Sequence, residues 1–317
     1  MPGRMQRQFP RRPSTAYAIP PAVLQSLGVR ASVVFLPDCP NWSFDAVAQR
    51  LLPYIPGAQV HYLVNHPAAN AVPRGDVYFY HHWVSVLDAI QRGIYDPSGK
   101  NIVVIPDRYW HLQHPEKFAR VMALKPIVLS MVPDAPVPAT FCPFPVSPAF
   151  LQAPRDYKLR TQGKLRVGMV SNGYRHATDD HKGDQLAHRI IDKLPWCEIQ
   201  VAGTDFRLLP SEMQGWYDKL DVFMSLSVSE GCSGAIADAI ALGVPVIGTP
   251  VGPLDPFCNG GYLQVDRDQP ETVLAALRHA RVVLSQGRAL PTARGVAAAW
   301  SADTVAQTIC RVAGVSP

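Results

Sequence analysis

Short apolar runs rich in β-branched residues recur along this chain, and stretches with helical spacing separate them. ASVVFLP (31–37), AQVHYLV (58–64), GDVYFYHHW (75–83), NIVVIPD (101–107) and PIVLSMVP (126–133) read as strands. Between them, Phe44, Val47, Ala48, Leu51 and Leu52 repeat at helical spacing, as does VSVLDAIQRG (84–93). Such alternation predicts parallel sheets covered by helices on both faces.

A proline-rich piece, PDAPVPATFCPFPVSPAF (133–150), breaks the pattern, because its prolines suit neither a helix interior nor a central strand. The alternation then resumes. LRVGMVS (165–171), CEIQVAG (197–203), DVFMSLS (221–227), VPVIGTP (244–250) and GYLQV (261–265) read as strands. HKGDQLAHRIIDKL (181–194), SEMQGWYDKL (211–220), GAIADAIALG (234–243) and PETVLAALRHARVVLS (270–285) read as helices, and WSADTVAQTICRVAGV (300–315) as a capped terminal helix. The predicted organisation is a basic arm over 1–30, a Rossmann-like domain over 31–150 and a linker over 151–163. A second Rossmann-like domain follows over 164–298, with a last segment over 299–317 crossing back to the first domain. Two such domains predict a central cleft, since ligands of open α/β sheets bind beyond the C-terminal strand ends.

A length of 317 residues with 47% hydrophobic and 17% charged residues excludes a disordered chain. No apolar run reaches the roughly 18 residues of a membrane span, and the first thirty residues lack the apolar core of a secretory signal. The expectation is a cytoplasmic protein without a transmembrane segment. Its six cysteines form no CxxC pair, which predicts buried, reduced thiols and no zinc cluster. Residues 1–37 hold Arg4, Arg7, Arg11, Arg12 and Arg30 and no acid, so the whole net charge of +5 sits there. The remainder is neutral and lacks the positive field of a strong nucleic-acid binder.

SEGCSGAIADAIALGVPVIGTPVG (229–252) crowds small residues between two acids, Glu230 and Asp238. Its first part is the loop between a strand and a helix, at the cleft edge of the sheet. Gly231 and Gly234 permit close approach of the backbone to a ligand, and Ser233 is a candidate N-cap. The helix start offers N–H groups and a positive dipole end to a phosphate, and an acid one turn further on suits vicinal sugar hydroxyls. A plainer reading of the same residues also stands: Ser229–Glu230 as a helix cap and Asp238 as a solvated helix residue.

This stretch resembles the donor-site signature of retaining glycosyltransferases of GT-B fold, the large glycosyltransferase family 4 group. In that signature a Glu is followed, after seven residues, by a second Glu and a Gly-x-Pro-Val turn. YDKLDVFMSLSVSEG and AAAWSADTVAQTI extend the resemblance, which covers roughly 165–312. It implies transfer of a sugar from a nucleotide-diphosphate sugar, UDP or GDP, to an acceptor hydroxyl. It further implies retention of configuration, no metal and no other cofactor. Glu230 would then hold donor-sugar hydroxyls and assist at the anomeric centre. Asp238, where the family has Glu, would bind ribose. The N–H groups of Gly231, Cys232, Ser233 and Gly234 would contact phosphate or sugar, and Ala202, Gly203 and Thr204 would hold the base. In the family an Arg and a Lys neutralise the leaving diphosphate. Lys182–Gly183 matches the Lys, while Ser171–Asn172 stands at the usual Arg position and leaves Arg175 as the nearest substitute.

The first domain resembles the family less. The Gly-rich loop is missing after its first strand, where Asp38, Asn41, Trp42 and Ser43 are acceptor-side candidates. Pro106–Asp107 occupies the place of a family His, and His82, Asp107 and His111 are the candidates to replace it. The implied acceptor is a glycan or glycolipid. One alternative is a DNA glycosyltransferase acting on a hydroxymethylated pyrimidine base, served by the Arg-rich arm and by aromatic residues around Tyr78–Trp83 and Tyr109–Trp110. Another is a non-catalytic sugar-nucleotide-binding protein of the same fold.

Overall fold

Every pairing between neighbouring strands is parallel, so each connection must cross over the sheet, and helices make most of these crossings. The architecture comes from a computed structural model describing residues 31–38, 43–63, 74–107, 110–152, 163–171, 180–209, 211–254, 258 and 260–316. The basic arm, Asn41, Trp42 and Arg175 lie outside the described residues.

The first half comprises β1 (Ala31–Leu36), α1 (Ser43–Leu51), β2 (Gln59–Val60), β3 (Gly75–Tyr80), α2 (Trp83–Gln91) and β4 (Lys100–Ile105). It continues through α3 (Trp110–Gln113), α4 (Pro115–Met122), β5 (Ile127–Ser130), β6 (Thr140–Phe141) and α5 (Pro148–Gln152). Its six strands lie in the order β2-β1-β3-β4-β5-β6. The strand expected over 58–64 pairs regularly only at Gln59 and Val60. Beyond them the chain still follows β1, with the N–H groups of His61 and Leu63 donating to the carbonyls of Phe35 and Pro37.

The second half comprises β7 (Leu165–Val170), α6 (Asp184–Ile191), β8 (Cys197–Ala202), α7 (Met213–Tyr217), β9 (Val222–Ser225) and α8 (Gly234–Ala241). After these come β10 (Val246–Gly248), β11 (Leu263–Gln264), α9 (Pro270–Ser285), α10 (Arg294–Ala297) and α11 (Ala302–Ala313). The sheet order is β11-β10-β9-β7-β8. These two parallel α/β sheets make the protein a GT-B fold.

In each sheet one pair of neighbours sends its connections in opposite directions. In the first sheet β1 leads to β2 on one side and β3 to β4 on the other; in the second, β7 leads to β8 and β9 to β10. The crevice beyond such a pair is where an open α/β sheet has room for a ligand.

The sheets are joined through a continuous apolar core. Phe35, Phe79, Val104 and Leu129 of the first sheet, Phe144 and Phe150 of the connection, and Tyr217, Ile236 and Ile240 of the second half belong to one buried cluster, which Trp300 and Ile309 complete. The chain passes between the halves twice, side by side. The Val146 N–H donates to the Trp300 carbonyl at 2.7 Å, and the Ala302 N–H donates to Val146 at 2.9 Å. Helix α11 then packs on α1, and its Ala313 carbonyl accepts a 2.8 Å hydrogen bond from Lys100 Nζ of the first half. Val305, Ala306, Ile309, Cys310 and Ala313 form the buried stripe of α11, and Gly314 closes it in the left-handed conformation. Among the described residues no helix is long and apolar enough to cross a membrane. Cys142, Cys197, Cys232, Cys258 and Cys310 are buried and free.

Candidate active site

The crevice between β7 and β9 carries the main polar cluster. Lys182 lies in the turn before α6, and Glu230 lies in the loop between β9 and α8. Lys182 Nζ donates to Glu230 Oε1 at 2.5 Å, and Ser227 Oγ donates to the same oxygen at 2.6 Å. The Lys182 side chain is 27% exposed and that of Glu230 is 10% exposed, so the pair is shielded yet reachable. The backbone stitches the two loops together. The Val228 N–H donates to the His181 carbonyl at 2.9 Å, and His181 Nε2 lies 3.1 Å from the Ser229 carbonyl. Gly183 takes φ +75°, and a Cβ there would come within 2.4 Å of Leu226 Cβ. Only glycine therefore allows the Lys182 turn to sit against β9.

Gly231 brings this cluster against the first half. A Cβ at Gly231 would lie 1.3 Å from the Pro106 carbonyl oxygen. Its missing side chain thus admits the Pro106–Asp107 backbone at the end of β4, where the sequence suggested room for a ligand. Gly234 behaves similarly, with the ring of Phe144 filling the space its side chain would occupy. Cys232 is buried; burial pushes its thiol up to about 12, which leaves it neutral and unreactive. Ser233 precedes α8 as the N-cap residue without a side-chain cap hydrogen bond.

The two acids of the stretch part company. Asp238 does not reach toward Glu230. Its carboxylate meets the guanidinium of Arg50 from α1 in a bidentate pair, Nη1–Oδ1 at 2.8 Å and Nη2–Oδ2 at 2.7 Å. Arg50 also donates to the Pro145 carbonyl at 3.0 Å and lies over the rings of Phe144 and Phe150, 5.1 and 5.6 Å from their centroids. Burial pushes the Asp238 carboxyl up, and Arg50 opposes that shift with charge and hydrogen bonds. The expectation of a ribose-binding or solvated Asp238 differs from this geometry for a simple reason. The first half supplies a cation that pairs with both carboxylate oxygens.

On the first-half side, the loops beyond β3 and β4 bring His82 and Asp107 into electrostatic contact. His82 caps α2, with Nδ1 accepting from the Val84 N–H at 3.0 Å, which places the proton of the neutral ring on Nε2. Burial lowers its pKa to about 4, against the opposing effect of Asp107. Asp107 Oδ1 accepts from the Trp110 N–H at 2.9 Å. The Trp110 ring meets His82 edge-on at 5.6 Å and is 43% exposed. His111 turns instead toward Phe118, with ring centroids 5.6 Å apart. Asp38 sits half-buried just beyond β1.

Gly203 and Thr204 close a tight turn after β8. The Gly203 N–H donates to the Phe206 carbonyl at 2.6 Å, and Thr204 Oγ1 donates to Asp184 Oδ2 at 3.2 Å, linking this turn to the first residue of α6. A cavity of about 710 Å³ opens next to it, lined by Gln200, Asp205, Phe206, Glu212 and Trp216 among others. The residues that sequence reasoning missed are Ser227, Arg50 and Arg267. Arg267 reaches the carbonyls around Lys182 from the loop after β11.

Fold and site together define a two-sheet GT-B protein with an acid–lysine pair at the switch point of its second sheet. Residues 162–280 match the family model described as glycosyl transferases group 1. A search of curated protein sequences finds no match. Among solved structures, the chain is similar to HepE from Anabaena in complex with UDP-glucose. That match has a TM-score of 0.62 and 12% identity, over 89% of this chain and 99% of that one. It is similar to an α-glucosyltransferase in complex with UDP and a 13-mer DNA containing an HMU base (TM-score 0.56, 11% identity, 90% and 100% coverage). It is also similar to TarM from S. aureus in complex with fondaparinux, α-GlcNAc-glycerol and UDP (TM-score 0.51, 13% identity). In that last match 75% of this chain spans 55% of TarM.

Proposed function

We propose that this protein transfers a sugar from a nucleotide-diphosphate sugar, UDP or GDP, to the hydroxyl of a glycan or glycolipid, with retention and without a metal. The observation that carries the reading is the Lys182–Glu230 pair at the β7/β9 crevice, pressed by Gly231 against Pro106–Asp107 of the other half. In this reading Lys182 Nζ stabilises the charge that builds on the departing diphosphate. The N–H groups at the start of α8 take a second share of that charge. Glu230 accepts hydrogen bonds from donor-sugar hydroxyls, and Ser227 holds its carboxylate in place. His82, neutral with its proton on Nε2, and Asp107 border the acceptor side. The acceptor oxygen bonds to the anomeric carbon as the bond to the diphosphate breaks, and the acceptor proton passes to the leaving phosphate oxygen. Asp238, occupied by Arg50, has no part in holding ribose in this reading. Of the aromatic residues that a DNA acceptor would draw on, Tyr78, Tyr80 and Trp83 are buried in the core, whereas Trp110 is 43% exposed.

The test is turnover with a panel of UDP- and GDP-sugars. Lys182→Met should lower kcat/KM by about 100-fold or more while the protein melts as before, since loss of one charge-stabilising donor costs roughly 3–4 kcal/mol in the transition state. Tight nucleotide binding without turnover on any donor and acceptor would instead identify a binding protein. Unchanged turnover in the Lys182 variant would sink the assignment of the site.

A further inference from the structure

Among the described residues, Lys182 is the cation on which the proposed donor site depends, and it sits in a turn that has no regular secondary structure. What fixes that turn comes from far along the sequence. Arg267, between β11 and α9, sends its guanidinium into the gap between the turn and the end of β9. Nη1 donates to the Leu226 carbonyl at 2.9 Å and to the His181 carbonyl at 3.3 Å. Nη2 donates to the Asp180 carbonyl at 3.0 Å and lies 3.9 Å from Asp180 Oδ2. The Arg267 side chain is only 19% exposed.

Asp180 is itself held. Its two carboxylate oxygens accept the Gln185 and Leu186 N–H groups at the start of α6, at 3.0 and 2.9 Å. The turn is therefore pinned at both ends, to α6 by Asp180 and to β9 by Arg267, with Lys182 between the pins. A planar fork with several N–H donors suits this task better than an ammonium, because it meets three carbonyls at once. Without it those carbonyls lose their donors, and the turn loses its tie to the strand that leads to Ser227 and Glu230.

We infer that Arg267 is a positioning residue for Lys182, acting through the 180–183 turn without itself touching the donor. The inference rests on the reading that Lys182 meets a nucleotide diphosphate, but its first test does not. That test labels amines with an acylating reagent and follows each lysine by mass spectrometry. In Arg267→Gln, Lys182 should react several-fold faster than in the wild type, because it is freed from Glu230, while Lys100, Lys193 and Lys219 keep their rates. An unchanged Lys182 rate overturns the inference, and a uniform rise at every lysine overturns it too, by showing general loosening.

The second test measures the affinity of UDP and GDP, with UMP and GMP as controls, for the wild type, Lys182→Met, Arg267→Gln and the double variant. Arg267→Gln should weaken the diphosphate about tenfold, the loss of roughly one charge-assisted hydrogen bond. The double variant should bind no worse than Lys182→Met alone. Additive losses would mean that Arg267 acts independently, and the inference would fall. If Lys182→Met itself leaves diphosphate affinity unchanged, the donor-site reading fails, while the labelling result still decides the role of Arg267. Should Arg267→Gln not fold, Arg267→Lys keeps the charge, removes the fork and is judged by the same two measurements.

Discussion

Glu230 and Asp238 stand eight positions apart on the same loop and helix, yet they live in different regimes. Glu230 pairs with Lys182 of its own half, whose side chain is 27% exposed; Asp238 pairs with Arg50 of the other half, whose side chain is 17% exposed. A single Lys–Glu contact that water still reaches is readily exchanged for contacts to a ligand. A bidentate pair whose guanidinium lies over two phenylalanine rings is not, because each ion separately would bear a large desolvation cost. The lesson is that spacing alone does not make two acids a site. Access and the identity of the cation decide which acid is available for chemistry.

The sharpest way to break this comparison is to remove one ion from the closed pair. Arg50→Ala should destabilise the protein by roughly 3–5 kcal/mol, since it strands a buried carboxylate. Denaturant unfolding reads that loss. Arg50→Met combined with Asp238→Leu should recover most of it, because apolar groups of similar volume often replace a buried pair without loss. The double variant should also keep nucleotide affinity. If it folds but loses that affinity, Asp238 touches the donor after all, and the contrast with Glu230 disappears.

This contrast also marks what could be read from the chain. Alternating runs such as NIVVIPD and LRVGMVS carry their own fold class, since a buried parallel strand is apolar along its length. Lys182 and Glu230 could be named because the family resemblance falls on them, each beside a glycine, Gly183 and Gly231. Arg50 was not legible as the partner of Asp238, since 188 residues separate them and nothing local in AVAQRL points across to the other half. Arg267 was hidden for the same reason, its acceptors lying 41 to 87 residues away. Gly231 and Gly234 show the same dependence on the other half. Their lack of side chain was evident, but whether ligand or protein fills the space depends on how the halves dock. Helices α3 and α4 went unread because histidines and Pro115 interrupt the apolar spacing, although Pro115 at the first turn of α4 is a regular helix start.

The first-half crevice contrasts with the second in how its polar groups are satisfied. Lys182, Glu230 and Ser227 share bonds, whereas His81, wholly buried just beyond β3, has no hydrogen-bond partner among the described residues on either ring nitrogen. It lies among Phe35, Phe44 and Phe79, with centroids 4.8 to 5.8 Å away. Burial lowers its pKa to about 3. An unfolded histidine takes up its proton near pH 6.5, so the unfolded state binds more protons between those values. Stability attached to His81 is therefore complete above pH 6.5 and is lost as pH falls toward 3. His81→Phe should remove this dependence and raise stability at pH 5 by about 2 kcal/mol relative to its effect at pH 8. Equal effects at both pH values would show that the ring finds a proton partner in solution.

The smallest expected effect tests how the halves are tied at their far edge. Lys100 Nζ donates to the Ala313 carbonyl at the C-terminal end of α11, where the helix dipole is negative and the last carbonyls lack helical partners. Lys100→Met keeps the aliphatic stem and removes the charge, so it should cost about 0.3–1 kcal/mol, and less in high salt. The accompanying readout is amide exchange over 310–315. Protection there should fall in the Lys100 variant while exchange around Glu230 and Lys182 stays as in the wild type. Faster exchange at both places would mean that the α11 contact and the crevice form one cooperative unit. The division between a closed structural seam and an accessible site would then be one of degree.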